Sequence, residues 1–249
     1  RIVNEKWLQA RAVLGFFPAN SVDHDDVRVF ADEQRSEELI RLCHLRQQRT
    51  KPGGQAHNCL ADFVAPVESQ AEDFVGGFAV TAGIGIDEHV KRFEADHDDY
   101  SSILLKALAD RLAEALAEYM HQRVRKEFWA YDQAESLSNE ELISEKYRGI
   151  RPAPGYPACP DHTEKEKLWK LLDVESAIDL RLTDSFAMFP TAAVSGFYFS
   201  HPEAKYFSVG QLSRDQVESY AERKGMSVTD AERWLAPNLG YDPAEASAA

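Results

Sequence analysis

The chain has 249 residues, 44% of them apolar and 28% charged, enough for a substantial buried core in a water-exposed globular protein. A formal net charge of −14 excludes nucleic acid as the main partner, because no cationic excess exists to neutralise phosphates. No apolar run approaches bilayer length and no signal-like segment opens the chain, so a cytoplasmic location is expected.

In chain order, residues 5–11 read as a short helix and residues 12–17 as a buried strand stopped by Pro18. Asp23, His24, Asp25 and Asp26 make a polar turn, and residues 27–30 alternate as its hairpin partner. Residues 37–45 suit a strand better than a helix, and a basic, glycine-terminated loop follows. Residues 60–64 and 73–81 read as further strands, the second carrying the Gly76-Gly77 pair of a close backbone approach. Gly83 and Gly85 have the start of a nucleotide-binding turn, but the third glycine and the surrounding strand–helix series are missing, which disfavours a Rossmann methyltransferase.

Residues 98–128 form the longest periodic segment, a helix with Leu104, Leu108, Leu112, Leu116, Met120 and Val124 along an apolar face and Asp110, Glu114 and His121 opposite. Ser138 to Glu141 is a capping box opening a short helix to about Lys146, and Thr163 to Glu166 another opening residues 164–173. Strands follow at 185–189 and 193–199, then an extended stretch at 206–211. Helices at 214–224, ended by Gly225, and at 229–235, capped by Thr229, close the chain. Strands grouped together rather than alternating with helices predict an α+β fold, one domain with a largely antiparallel, bent sheet over residues 1–243. The small-residue tail 244–249 is expected to be disordered, and the chain reads as an excised fragment.

The stretch between the two capping boxes stands apart. Pro152, Pro154, Pro157 and Pro160 forbid a helix or central strand and predict an extended, stiff ribbon whose carbonyls lack regular partners. Gly155 can turn sharply, and Arg151 and Tyr156 project. A guanidinium, an aromatic ring and open peptide groups suit a zwitterionic, adenine-bearing ligand. A plain stiff connector is the bland alternative.

The run RPAPGYPACPDHTEK at 151–165 resembles the S-adenosylmethionine (AdoMet) signature of the C-terminal activation domain of cobalamin-dependent methionine synthase. The resemblance extends over LGFFPAN at 14–20, LRQQ at 45–48, LADFVAP at 60–66, residues 106–126, SFAM at 185–188, and residues 195–206 and 225–241. It implies an AdoMet-binding domain that presents a methyl group for reductive methylation of cobalamin held by a neighbouring module, with flavodoxin or another reductase as electron donor. Ligand contacts carried over by position are Arg151, Ala153, Gly155, Tyr156, Tyr206 and Phe207, with Glu145 first and Glu114 second as carboxylates facing the sulfonium. The family also uses an aspartate upstream of the first residue here, so binding by this chain alone is expected to be weakened. Arg46, Arg49, Lys51, Arg123, Arg125 and Lys126 stand out as a surface for an acidic redox protein.

Three cysteines, Cys43, Cys59 and Cys159, are too few and odd for a disulfide framework, and their spacing to His44, His57 and His162 fits no zinc site. No Asp-x-His-x-x-Gly cobalamin motif occurs, so cobalamin must sit elsewhere. A non-catalytic module docking a protein through its proline ribbon is the alternative from another class.

Overall fold

The computed structural model describes residues 1–48 and 51–246. A five-stranded sheet has the order β3-β2-β1-β4-β7, built from β1 (Gln9–Val22), β2 (Asp26–Phe30), β3 (Glu38–Cys43), β4 (Phe74–Ile84) and β7 (Ala193–Tyr198). A two-stranded ribbon pairs β5 (Arg181–Leu182) with β6 (Met188–Phe189). The pairings β1 with β2, β2 with β3 and β5 with β6 are antiparallel. The fold is α+β, as the grouping of strands predicts.

The chain divides into two compact units, and β1, β4 and β7 each contribute residues to both. One unit holds residues 1–15, 77–147 and 168–196. It contains α1 (Ile2–Glu5), α2 (Ile86–Ala95), α3 (Asp99–Arg123) and α4 (Asn139–Ile143). Its core gathers Trp7, Ile86, Val90, Leu105, Ala109 and Ala192. The short helix expected at 5–11 is displaced: α1 stops at Glu5 because Lys6 turns left-handed at φ 52°, and Gln9 already begins β1.

Helix α3 is where expected, but its buried face is not the leucine stripe. Leu105, Ala109, Ala113, Ala117 and His121 face inward, while Leu104, Leu108 and Leu112 are 45%, 39% and 48% exposed. Two stripes at four-residue spacing lie side by side, and periodicity cannot rank them. Three alanines allow a close approach that three leucines would block, so the small-residue stripe packs inward.

Beyond Arg123 the helix widens into a π turn over Val124–Phe128, which brings Arg125 inward to 1% exposure. Its guanidinium makes a two-pronged ion pair with the buried Glu135 and lies 4.2 Å over the Tyr147 ring, whose edge meets His121 at 5.0 Å. His121 therefore belongs to the core rather than the wet face.

The other unit holds residues 16–76, 148–167 and 197–249. The hairpin of β1 and β2 turns at Asp23 and His24, both left-handed, with Val22 opposite Asp26. Strand β1 runs through Pro18 instead of stopping there. Pairing with β2 starts one residue later, at Ala19 opposite Val29, so the missing proline donor leaves no β1–β2 bond unmade. Residues 60–64 are not a strand: Leu60–Phe63 is a 3₁₀ turn in which the Asp62 carboxylate accepts the Cys59 N–H at 2.8 Å. Its side chains Leu60, Ala61 and Phe63 are all buried, a pattern that mimics a buried strand.

Helix α7 (Arg214–Lys224) ends at the left-handed Gly225 as predicted. Helix α8 (Val228–Trp234) is capped by Ser227, not Thr229, through the Asp230 N–H. Both helices pack on a core of Cys43, Leu45, Val209, Leu212, Val217, Tyr220 and Leu235. The tail begins with a helical turn, α9 (Pro243–Ala246), where disorder was expected, and residues 247–249 lie outside the described residues. Helices α5 (Glu164–Leu172) and α6 (Val174–Ile178) complete the set.

Removing Glu135 leaves the Arg125 charge buried and uncompensated, so Glu135→Ala should cost about 3–5 kcal/mol of stability, read as a lower urea midpoint. A paired apolar replacement, Arg125→Met with Glu135→Leu, should recover most of that loss. Equal losses in the single and double variants would show that packing, not charge, governs this corner.

Candidate functional site

The proline ribbon is partnered from outside itself. Ile150 and Phe199 exchange both backbone hydrogen bonds at 3.0 Å, and the Pro152 carbonyl accepts the Phe197 N–H at 2.9 Å. The Pro157 carbonyl accepts the Val209 N–H at 2.8 Å, which is why residues 206–211 lie along the ribbon and form no strand of their own. Pro152, Pro154, Ala158 and Cys159 are buried, so the ribbon is half inside the protein rather than a surface track.

Its middle folds on itself. Gly155 donates to the Cys159 carbonyl at 2.7 Å, Cys159 to the Tyr156 carbonyl at 2.9 Å, and Tyr156 to the Ala153 carbonyl at 3.2 Å. The carbonyls of Pro152, Ala153, Tyr156, Pro157 and Cys159, expected to lack regular partners, thus have them, and Ala153 keeps only a second lone pair for a ligand. Gly155 has φ 93°, and a Cβ there would collide with the His162 ring. Only glycine fits both the backbone and the ring. His162 in turn shares a hydrogen bond of 3.0 Å between its Nδ1 and Lys165 Nζ. Burial and the neighbouring Lys165 charge hold the imidazole below its ordinary pKa, and burial lowers that of Lys165 too.

The fold brings several predicted site residues together here. The Arg151 N–H donates to the Tyr206 hydroxyl at 3.0 Å, tying the ribbon's arginine to the loop that carries the expected aromatic pair. Tyr156 is 66% exposed and Tyr206 38% exposed, so both rings are open to a ligand. Phe207 leans inward, edge-on to Phe63 with ring centres 6.4 Å apart and against the α7–α8 core. Glu114 and Glu145 belong to the other unit. Glu114 is exposed on α3 and bonds Arg111 at 2.9 Å. Glu145 is exposed and left-handed at φ 55°, past the end of α4 instead of on the helix expected to reach Lys146.

Of the basic residues expected to receive an acidic partner, four already have partners within the chain. Arg125 is buried against Glu135, and Arg46 is held by Asp25 and Asp62 at 2.7 Å each. Arg123 bonds Glu127 at 2.8 Å, Lys51 donates to the Ala56 carbonyl at 2.6 Å, and Arg49 lies outside the described residues.

Sequence reading missed the layer beneath the ribbon. Asp161 and Glu164 are buried together with Tyr220, and the partly buried Lys224 extends its side chain to place Nζ 2.7 Å from Glu164 Oε1. Burial pushes the Asp161 carboxyl up, but the Lys224 charge and hydrogen bonds from Lys224 and Tyr220 hold it below the usual range. His44 lies between the Phe197 and Phe199 rings, and burial pushes its imidazole down to about 4. All three cysteines are free and buried. Burial raises each thiol's pKa, that of Cys59 to about 12.

A proline ribbon closed on a glycine turn presents an arginine and two open tyrosines on an α+β scaffold, and this cluster is the candidate site. Residues 1–225 match the family model described as vitamin B12 dependent methionine synthase, activation domain, and the chain belongs to that family. A crystal structure of a MetH reactivation domain bound to AdoHcy is 60% identical and superposes with a TM-score of 0.94, covering 97% of this chain and 74% of that one.

Gly155→Ala should destabilise the chain by about 1–3 kcal/mol or more, since a left-handed alanine adds backbone strain to the collision with His162. Urea denaturation measures it. An unchanged midpoint would mean that the His162 ring does not seat on the turn.

Proposed function

We propose that this chain binds AdoMet and presents its methyl group for the reductive methylation of oxidised cobalamin held by a neighbouring module of methionine synthase. The observation that carries the reading is the closed ribbon itself: Arg151 anchored through its peptide to Tyr206, with Tyr156 open beside the Gly155 turn. The 60% identical domain was crystallised with AdoHcy, the demethylated form of the same ligand, which supports it.

The donor set fits the ligand group by group. The Arg151 guanidinium offers a planar fork for the amino-acid carboxylate. The remaining lone pair of the Ala153 carbonyl and the neighbouring peptide groups suit the ammonium or adenine edge, and Gly155 lets backbone approach closely. Tyr156 and Tyr206 supply ring faces, which attract a cation, and Phe207, packed inward behind them, lines the site from the core side. Glu145, and after it Glu114, are the carboxylates assigned to the sulfonium. Cobalamin, when bound to its own module, supplies the nucleophile; this chain's part is to hold and orient the methyl donor. The functional module comprises residues 1–243, works in the cytoplasm, and takes its electron from flavodoxin or another reductase. No helix among the described residues is long and apolar enough to cross a membrane.

A protein-docking role for the ribbon is less well supported. Polyproline recognition needs exposed proline faces, and Pro152 and Pro154 are buried.

Arg151→Ala should weaken AdoMet binding by about 1.5–3 kcal/mol without unfolding the chain, and lysine should restore little of it because it lacks the fork. Calorimetric titration decides, and unchanged affinity would remove the carboxylate role. The chain alone should bind AdoMet yet show negligible turnover with any small acceptor. Adding the cobalamin-bearing module and a reductant should produce methylcobalamin, followed by absorbance, at a rate that Glu145→Gln alters more than it alters stability. Robust methylation of another acceptor by the isolated chain would overturn the assignment.

A further inference from the structure

The ribbon's far end is gripped by a helix that is distant in sequence. In the last turn of α7, Lys224 Nζ contacts Asp161 Oδ2 at 2.5 Å, Glu164 Oε1 at 2.7 Å, and Thr163 Oγ1. One turn earlier the Tyr220 hydroxyl donates to the same Asp161 oxygen at 2.7 Å. The other Asp161 oxygen accepts the Thr163 N–H at 2.7 Å, and Lys167 adds a second cation on Glu164 Oε1 at 2.7 Å. Three of the oxygens around Lys224 Nζ belong to residues 161, 163 and 164 at the ribbon's end, and a fourth, more distant one is the Tyr220 hydroxyl at 3.2 Å on its own helix. The three ribbon contacts hold together only when residues 161, 163 and 164 stand in one arrangement.

A buried charge cluster of this kind is weak evidence for stability, because well-packed apolar groups often serve as well or better. What apolar groups cannot do is select one position for three polar partners. Only Pro160 separates Asp161 from Cys159, whose carbonyl closes the Gly155 turn, and the proline ring fixes one of the few torsions between them. A shift at Asp161 therefore moves the acceptor on which the Gly155 N–H depends.

We propose that Lys224 is a positioning residue for the ligand: by locking Asp161, Thr163 and Glu164 to α7 it sets the Gly155 turn, and with it the placement of Arg151 and Tyr156. The role rests on the AdoMet reading above and adds to it a residue that touches no ligand. Tyr220 acts with it through Asp161.

The test compares Lys224→Met with Leu105→Ala, a core variant in the unit that contains no part of the ribbon. AdoHcy affinity is measured by calorimetry, and amide exchange is read without ligand at Gly155 and Cys159. Lys224→Met is expected to lose about tenfold in affinity and the protection of both amides, while Leu105→Ala, though less stable, keeps both within about twofold of the parent chain. Affinity within about twofold of the parent in Lys224→Met, or unchanged exchange at the two amides, would overturn the proposal. If Lys224→Met does not fold, Tyr220→Phe, which deletes one hydroxyl and no volume, takes its place with the same signs expected. A parent chain that binds neither AdoHcy nor AdoMet overturns the AdoMet reading itself, whereas the exchange comparison still reports on the lock.

Discussion

A ribbon with prolines at 152, 154, 157 and 160 lacks the donors to be held by its own hydrogen bonds alone, and that constraint governs the unit that carries it. Each proline takes away a donor, so the ribbon must be fixed through its carbonyls and its few remaining N–H groups. The strand residues Phe197 and Phe199 hold its start, Val209 holds Pro157, and the glycine turn closes its middle. The far end is held by charge instead, through Lys224 on Asp161 and Glu164. The result is a stiff loop held in place along its length, which keeps low the entropy lost when a small ligand must be oriented.

Much of the scaffold was legible from local pattern. Helix α7 with its Gly225 stop, the β1–β2 hairpin with its polar turn, β3, and the capping box at Ser138 all rest on interactions between residues a few positions apart. The errors have a common cause, that local signals do not say what lies across the core. The α3 leucines satisfied periodicity, but only the packing of the opposite wall could choose alanine over leucine. Residues 60–63 carry strand-like apolarity, yet Asp62 bonded back to Cys59 and drew the chain into a turn.

The site divided in the same way. Arg151, Gly155, Tyr156 and Tyr206 could be named from a motif, and the fold gathers them. The ring of His162 under Gly155 and the Lys224 lock could not: the first depends on how the ribbon turns back on itself, and an Asp near a proline run looks solvated until a partner some 60 positions on is placed against it. Arg125 shows the reverse error. A basic residue at a helix end looks exposed, and a single π turn carried it inward to Glu135.

The three buried thiols bear on the setting in which such a domain works. Thiolate, not thiol, reacts with oxidants and alkylating agents, and burial raises the pKa of Cys43, Cys59 and Cys159 alike. The chain thus keeps its three cysteine sulfurs buried and in the thiol form, the one that reacts slowly with oxidants.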